Sequence, residues 1–294
     1  MVLDDLSTGK RENLEDALER GATLHSVDIG DEAALTLLLG AARPDVVFHL
    51  AARVDVRYSV QRPREDAKAN VLGTIAVLEA AARAGVRRLV NSSSGGAVYG
   101  DADVIPTPED HPTGPISPYG QGKFAAEGYC ELYARTRGLS TVSLRYSNVY
   151  GPRQDAHLEG GVVAIFSGCL VEHRPPTVFG DGRQTRDWVE VSDVVRANLL
   201  AAASNFGGPV NVGAGQETSV LALVDALNEV SEVGSLAPVE FAPPRDGEVR
   251  RSCLDISRAR HELRWEPAVG LKQGLRRTLR SLSNPAAGWE AAAG

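Results

Sequence analysis

Cysteine is scarce in this 294-residue chain: Cys130, Cys169 and Cys253 stand far apart, with no histidine at metal-ligand spacing. An odd number of isolated thiols excludes a disulfide framework and offers no zinc site, so the expectation is buried free thiols and no metal. Lysine is scarce too: of 31 basic residues only Lys10, Lys68, Lys123 and Lys272 are lysines, so one at a motif position is informative. No basic block interleaved with aromatics occurs and the formal net charge is -7, which argues against a nucleic-acid partner. No apolar run approaches the roughly 18 residues of a membrane-spanning helix, and the first residues lack the basic flank and apolar core of a signal peptide. A cytoplasmic protein with no membrane partner is expected. With 43% hydrophobic residues the chain can bury a substantial core.

Short apolar or β-branched runs (VLDD, ATLHSVDI, DVVFHLAA, VRRLVNSSS, STVSLRY) alternate with helical patterns (RENLEDALER, DEAALTLLLGAA, EDAKANVLGTIAVLEAAARAG, PYGQGKFAAEGYCELYARTRG) through the first half. This alternation predicts right-handed βαβ crossovers and a doubly wound parallel α/β sheet with helices on both faces. After about Asn148 the pattern loosens into Gly- and Pro-rich segments between shorter helices, which predicts a smaller C-terminal α/β lobe. The expected organisation is a nucleotide-binding domain over residues 1–150 and a substrate lobe over 151–282, with about 187–213 returning to the main sheet. Residues 283–294 lack periodicity and are expected to form a disordered tail.

In open α/β sheets ligands sit beyond the carboxyl ends of the strands. Asp4 closes the first predicted strand, where a carboxylate can accept both hydroxyls of a ribose and repel a 2′-phosphate, favouring NAD over NADP. Asp28 and Ile29 close the second, placing an acceptor and an apolar surface for an adenine. His49, Leu50, Ala51 and Ala52 close the third, where small residues permit close approach of a cofactor.

The chemistry concentrates in SPYGQGKFAAE. Ser117 is a candidate N-cap and Pro118 suits the first helical position, so Tyr119 and Lys123 fall i, i+4 on one helix face. A phenol with a pKa near 10 is a poor base at neutral pH. An ammonium one turn away and the positive end of the helix both favour the phenolate. The preceding strand ends in NSSSGGAVYG, whose serines can present a hydroxyl to the same reacting oxygen.

Taken together, VLDDLSTGKRENL, DVVFHLAA, NVLGTIAVLEAA, SSSGGAVYG, SPYGQGKFAAE, LRYSNVYGPRQ, VFGDGRQTRDWVEVSDVV and PPRDGEVRRSCLDISRA resemble, in order, the motifs of the extended short-chain dehydrogenase/reductases, in particular the NAD-dependent epimerase/dehydratase family and its UDP-glucose 4-epimerase-like group. The resemblance implies a Rossmann-like fold and NAD as cofactor, with Tyr119 as catalytic base and Lys123 lowering its pKa and binding the nicotinamide ribose. Ser94 is the assisting hydroxyl, with Ser93 in reserve. It adds Asn70 to the cofactor contacts, and assigns to a UDP-sugar substrate Ser94, Asn148, Arg186, Arg245, Glu248 and the pocket residue Ser252. A homodimer built on two long helices is implied as well.

Relatives that eliminate water place an Asp-Glu pair directly after the assisting hydroxyl, and sugar decarboxylases carry a nearby glutamate. Here Gly95, Gly96 and Ala97 stand there, so C4 epimerisation of a UDP-hexose through a 4-keto sugar is the leading expectation. A small residue at 252 leaves room for an N-acetylhexosamine. The alternatives are another NAD-dependent sugar-nucleotide epimerase or dehydratase, or a non-catalytic nucleotide-sugar-binding scaffold. The resemblance also implies that the family's first strand and glycine-rich turn, roughly 25 to 30 residues, do not appear in this sequence, and predicts poor NAD binding by the chain as given.

Overall fold

The computed structural model describes residues 1–155, 161–232, 234–245 and 249–283. Glu248 and, apart from Ser283, the expected tail lie outside the described residues.

The strand and helix patterns resolve in chain order as β1 (Val2–Asp4), α1 (Glu15–Glu19), β2 (Leu24–Ser26), α2 (Glu32–Ala42), β3 (Val46–His49), α3 (Val56–Gln61), α4 (Pro63–Ala67), a π-helical turn (Lys68–Leu72), α5 (Gly73–Ala84), β4 (Arg88–Ser94), α6 (Gly95–Val98), α7 (Pro118–Arg137) and β5 (Ser140–Tyr146). There follow β6 (Asn148–Tyr150), α8 (Val162–Val171), β7 (Thr177–Phe179), β8 (Thr185–Glu190), α9 (Val191–Ala203), β9 (Gly208–Val212), β10 (Glu217–Ser219), α10 (Val220–Val230), β11 (Glu240–Ala242), α11 (Ser257–Leu263) and α12 (Leu271–Ser283). Helix ends follow local chemistry. Asp31 caps α2 by accepting from the Ala34 N–H at 3.0 Å. Helices α5 and α7 stop at Gly85 and Gly138, whose φ values of 74° and 69° are left-handed.

Two compact units interleave along the chain: one comprises Met1–Ser93, Pro115–Leu144 and Ala201–Pro209, the other Ser94–Gly114, Arg145–Leu200 and the chain from Val210 onward. The first unit is a parallel α/β layer. Strand β1 pairs with β2 (Val2 opposite Leu24) and β3 with β4 (Val46 opposite Arg88), both parallel. The sheet order is β1-β2 in one sheet and β3-β4-β5-β9 in another, so β1 and β3 belong to different sheets. Leu35 and Leu39 of α2, Ala80 and Ala81 of α5, and Cys130 and Tyr133 of α7 pack around Leu89, with Leu3, Val27 and Val47 against them. Burying this apolar surface is the main force holding the layer together.

In the second unit β8 lies between antiparallel β10 and parallel β6, and β7 pairs with β11 in parallel. Its core gathers Tyr150, Phe166, Trp188, Leu223, Leu227 and Leu275. Cys130, Cys169 and Cys253 are buried free thiols. Among the described residues no helix is long and apolar enough to cross a membrane.

Candidate active site

Helix α7 starts where its sequence asks it to. The Ser117 Oγ accepts from the Gly120 N–H at 3.1 Å, Pro118 occupies the first turn, and the Tyr119 N–H donates to the Ser59 Oγ at 3.2 Å. Tyr119 and Lys123 therefore rise from one face of a capped, fixed turn. Lys123 is buried, and its Nζ donates to the Ser92 carbonyl of β4 at 2.9 Å. Burial pushes the ammonium down to about 8, against the opposing pull of Asp66, Cys130 and Glu127. Lys123 thus stays charged at neutral pH, one turn after Tyr119 on the same helix. One turn further on, Glu127 accepts from the Ser93 hydroxyl at the end of β4. Ser93 is committed to that bond. Ser94, half-buried, precedes α6 at its N-cap position and makes no capping hydrogen bond.

The strand-end residues form a second group within the first unit. Strand β1 ends at Asp4, whose Oδ1 accepts from the Leu6 N–H at 2.7 Å; β2 ends at Ser26, so Asp28 and Ile29 follow that strand rather than close it, and the Asp28 Oδ1 accepts from the Gly30 N–H at 2.7 Å, which fixes each carboxylate. A carboxylate offers about four acceptor sites, so both retain the acceptor chemistry that ribose hydroxyls and an exocyclic amine require. That chemistry fits a dinucleotide. Ile29 packs on the start of α5, where a Cβ at Gly73 would come within 2.6 Å of its Cδ1. Leu50 is exposed, with Ala51 and Ala52 half-buried beyond it. Asn70 sits in the π-helical turn and braces this segment from behind. Its Oδ1 accepts from the Arg53 N–H and its Nδ2 donates to the Arg53 carbonyl, both at 2.9 Å, while the same Nδ2 donates to the Asp66 Oδ1 at 2.9 Å.

His49, buried at the end of β3, bonds Thr74 through Nε2 at 2.9 Å. Because the Thr74 hydroxyl donates to the Asn70 carbonyl at 2.7 Å, the imidazole Nε2–H is the donor. Burial, and then Lys123, depress the His49 pKa from 6.5 to about 3. A depressed folded-state pKa contributes stability in full above 6.5, which is lost as pH falls toward 3, because only the unfolded chain takes up the proton in that window. Replacing His49 with glutamine is expected to flatten the loss of melting temperature on acidification through that window; parallel curves for the two proteins would contradict the assignment.

The second unit carries the candidate substrate residues. Arg186 on β8 is half-buried and donates to the Thr185 carbonyl at 2.8 Å. Arg245 is exposed with its guanidinium 3.7 Å from the centre of the Phe179 ring, a cation–π seat that orients the fork. Asn148 opens β6 opposite Trp188. Ser252 is buried, and a Cβ at Gly96 would lie 3.6 Å from its Oγ, so the structure brings residue 252 to the start of α6. A Cβ at Gly95 would come within 2.7 Å of both Leu254 methyl carbons, so that position is closed to a side chain.

Among the buried carboxylates that the sequence did not single out are Asp66, Glu127 and Asp187. Asp66 precedes Asn70 by four residues and Glu127 follows Lys123 by four, so helical spacing was the available signal for both. Asp187 gave no such signal. It accepts backbone N–H groups of Ala214, Gly215 and Leu254 at 2.7, 3.2 and 3.2 Å, drawing distant segments around the neighbouring Arg186, and burial pushes its carboxyl up to about 6.

A family model described as GDP-mannose 4,6 dehydratase matches residues 2–278. The chain is 48% identical over 285 residues to a UDP-glucose 4-epimerase of Mycolicibacterium smegmatis, covering 96% of this chain and 90% of that protein. Its fold is similar to a UDP-glucose 4-epimerase from Thermotoga maritima solved with UDP-glucose, with a TM-score of 0.92 and 44% identity over 97% of this chain and 91% of the other. It is likewise similar to the Thermus thermophilus UDP-glucose 4-epimerase in complex with NAD, with a TM-score of 0.88 and 39% identity over 96% and 90%.

Proposed function

The chain belongs to the family described as GDP-mannose 4,6 dehydratase, a family of NAD-dependent sugar-nucleotide enzymes, and on that premise we propose that it catalyses the C4 epimerisation of a UDP-hexose. The observation that carries this reading is the pair Tyr119 and Lys123 on the first turns of α7, the lysine buried and still charged at neutral pH. The closed Gly95 position supports epimerisation over elimination, because an acid or base cannot stand directly after Ser94.

Tyr119 takes the proton of the sugar 4-hydroxyl at its phenolic oxygen and later gives it back. Lys123 holds the phenolate that makes this possible. The assisting hydroxyl is Ser94, since the Ser93 Oγ already donates to Glu127. The chemistry that bound NAD supplies is reversible acceptance of the C4 hydride, and Asp4, Asp28 and the backbone braced by Asn70 would hold it. Arg186 and Arg245, with permanently charged donor forks, suit the diphosphate, and Asn148 contacts the same region of the substrate. The first unit thus serves the cofactor and the second the sugar nucleotide.

Product analysis by NMR after incubation with UDP-glucose or UDP-galactose tests the reaction. A galactose–glucose equilibrium is expected from either side; a 4-keto-6-deoxy product would refute epimerisation. The short Ser252 side chain leaves space beside the sugar 2-substituent, so UDP-N-acetylglucosamine is expected to be turned over as well. Turnover of UDP-glucose with none of the N-acetyl compound would refute that specificity.

A homodimer fits the apolar residues Leu72, Phe124 and Leu132, which are exposed by 59%, 37% and 39% in the π-helical turn and along α7. Sizing chromatography at the mass of two chains is the expected result. Three buried free thiols fit a reducing cytoplasm.

A further inference from the structure

Lys123 carries a charge where burial disfavours one. Around it stand His49 from β3, Asp66 from α4, and Glu127 and Cys130 from its own helix. Two of these are uncharged at neutral pH: His49 is depressed to about 3 and the Cys130 thiol is pushed up to about 12, each by burial. Glu127 accepts the Ser93 hydroxyl. Asp66 differs from the others in its bonding. It is 1% exposed, its Oδ1 accepts from Asn70, and its buried Oδ2 has no hydrogen-bond partner. That oxygen faces α7 at Gly122, where a Cβ would lie 3.4 Å away, one residue before Lys123. A glycine there lets α7 approach the carboxylate without a side chain between them.

We propose that Asp66 is a positioning residue that keeps the Lys123 ammonium charged, acting across the glycine face of α7 and held in place by Asn70. Water is excluded at Lys123, so a nearby negative charge counts for far more than at the surface. Asp66 itself is raised by burial, with Asn70, Lys123 and Arg53 pulling the other way, as expected for a buried pair in which each charge sustains the other. The brace from Asn70 to both backbone groups of Arg53 ties this carboxylate to the segment after β3, so the same residue pair shapes the candidate cofactor side and the charge behind the base.

This inference rests on the reading of Lys123 as the support of Tyr119, and its test reads the lysine directly. The chain has only four lysines, and Lys10, Lys68 and Lys272 are exposed. Carbon-13 labelling of lysine therefore gives one resonance titrating apart from the rest, near 8, assigned by its loss in Lys123→Met. In Asp66→Asn, which keeps the acceptor for Asn70, that midpoint is expected to drop by about one pH unit or more, tenfold or more in the protonation equilibrium. The alkaline limb of kcat should shift down with KM unchanged. Asp66→Ser, which also removes the charge, should lower the midpoint similarly if the asparagine variant does not fold. An unmoved Lys123 midpoint in either folded variant overturns the proposal. Full activity of Lys123→Met would instead overturn the role of Lys123 in catalysis, leaving the titration result to stand by itself.

Discussion

Replacing Tyr119 with phenylalanine is expected to lower kcat for UDP-sugar interconversion by about 10³, within the 10² to 10⁴ that a positioned acid-base group contributes. The change deletes one oxygen. Cap and helix should survive it, because the helix start depends on the Ser117 Oγ, Pro118 and the Tyr119 backbone N–H bonded to Ser59, none of which involves the phenol. Melting temperature should therefore stay constant and KM should change by no more than a few-fold. With the phenol gone, the remaining activity should also lose the pH dependence that its ionisation imposes. A phenylalanine variant retaining most of its kcat would remove Tyr119 from the mechanism.

Replacing Arg88 with methionine is expected to cost about 3 to 5 kcal/mol of stability, the scale at which buried charged hydrogen-bond networks fail when cut. Arg88 is fully buried on β4, and burial pushes its guanidinium down to about 10, so it remains protonated at neutral pH. It donates from Nε and Nη2 to the Ala201 carbonyl at 3.1 and 2.8 Å, from Nη2 to the Phe206 carbonyl at 2.7 Å and the Ser204 Oγ at 3.1 Å, and from Nη1 to the Ser140 Oγ at 2.7 Å. All are neutral acceptors, and apart from the Ser140 Oγ of β5 they lie at or just beyond the C-terminal end of α9, where the helix dipole is negative. Methionine would fill part of the space and remove the Arg88 donors from the Phe206 carbonyl and from the Ala201 carbonyl, which keeps the Ser204 hydroxyl at 3.1 Å as a side-chain donor. At about 2 to 4 °C per kcal/mol for a chain of this class, the melting temperature should fall by roughly 6 to 20 °C. Arg87→Met next to it, on an exposed side chain, should stay within about 0.5 kcal/mol of the parent. Equal effects for the two would show that Arg88 does not clamp the helix end.

Much of the fold was legible because its signals are local. A serine and a proline ahead of Tyr119 state where α7 begins, and the structure places the helix start and the cap there. The alternation of strand and helix patterns gave the parallel α/β class, and the strand end at Asp4 was readable from its own sequence, whereas β2 stops at Ser26, two residues short of the expected Asp28. Lys123 could be singled out because lysine is rare in this chain.

Its environment could not. The Ser92 carbonyl, Asp66 and Asn70 reach Lys123 and the segment after β3 across tens of residues, and no local pattern encodes which buried group lacks a partner. Arg87 and Arg88 are adjacent in VRRLV, yet one is exposed and the other fully buried against a helix end more than a hundred residues away. Asp187 carries no local signal beside the candidate Arg186, and is the acceptor that gathers the distant backbone N–H groups of Ala214, Gly215 and Leu254.

The sequence by itself determined the α/β class and the capped helix carrying Tyr119 and Lys123, because these depend on residue type at short spacing, while the sugar-nucleotide chemistry came from the resemblance of its motifs to the NAD-dependent epimerase/dehydratase family. Only the tertiary structure decided that Ser93 is taken by Glu127, that Gly95 is closed by Leu254, that segments 94–114 and 201–209 exchange between the two units, and that a buried carboxylate stands behind the lysine. Burial, charge pairing and excluded volume are set by residues that chain folding brings together, and their magnitudes exist only once water has been removed from between them.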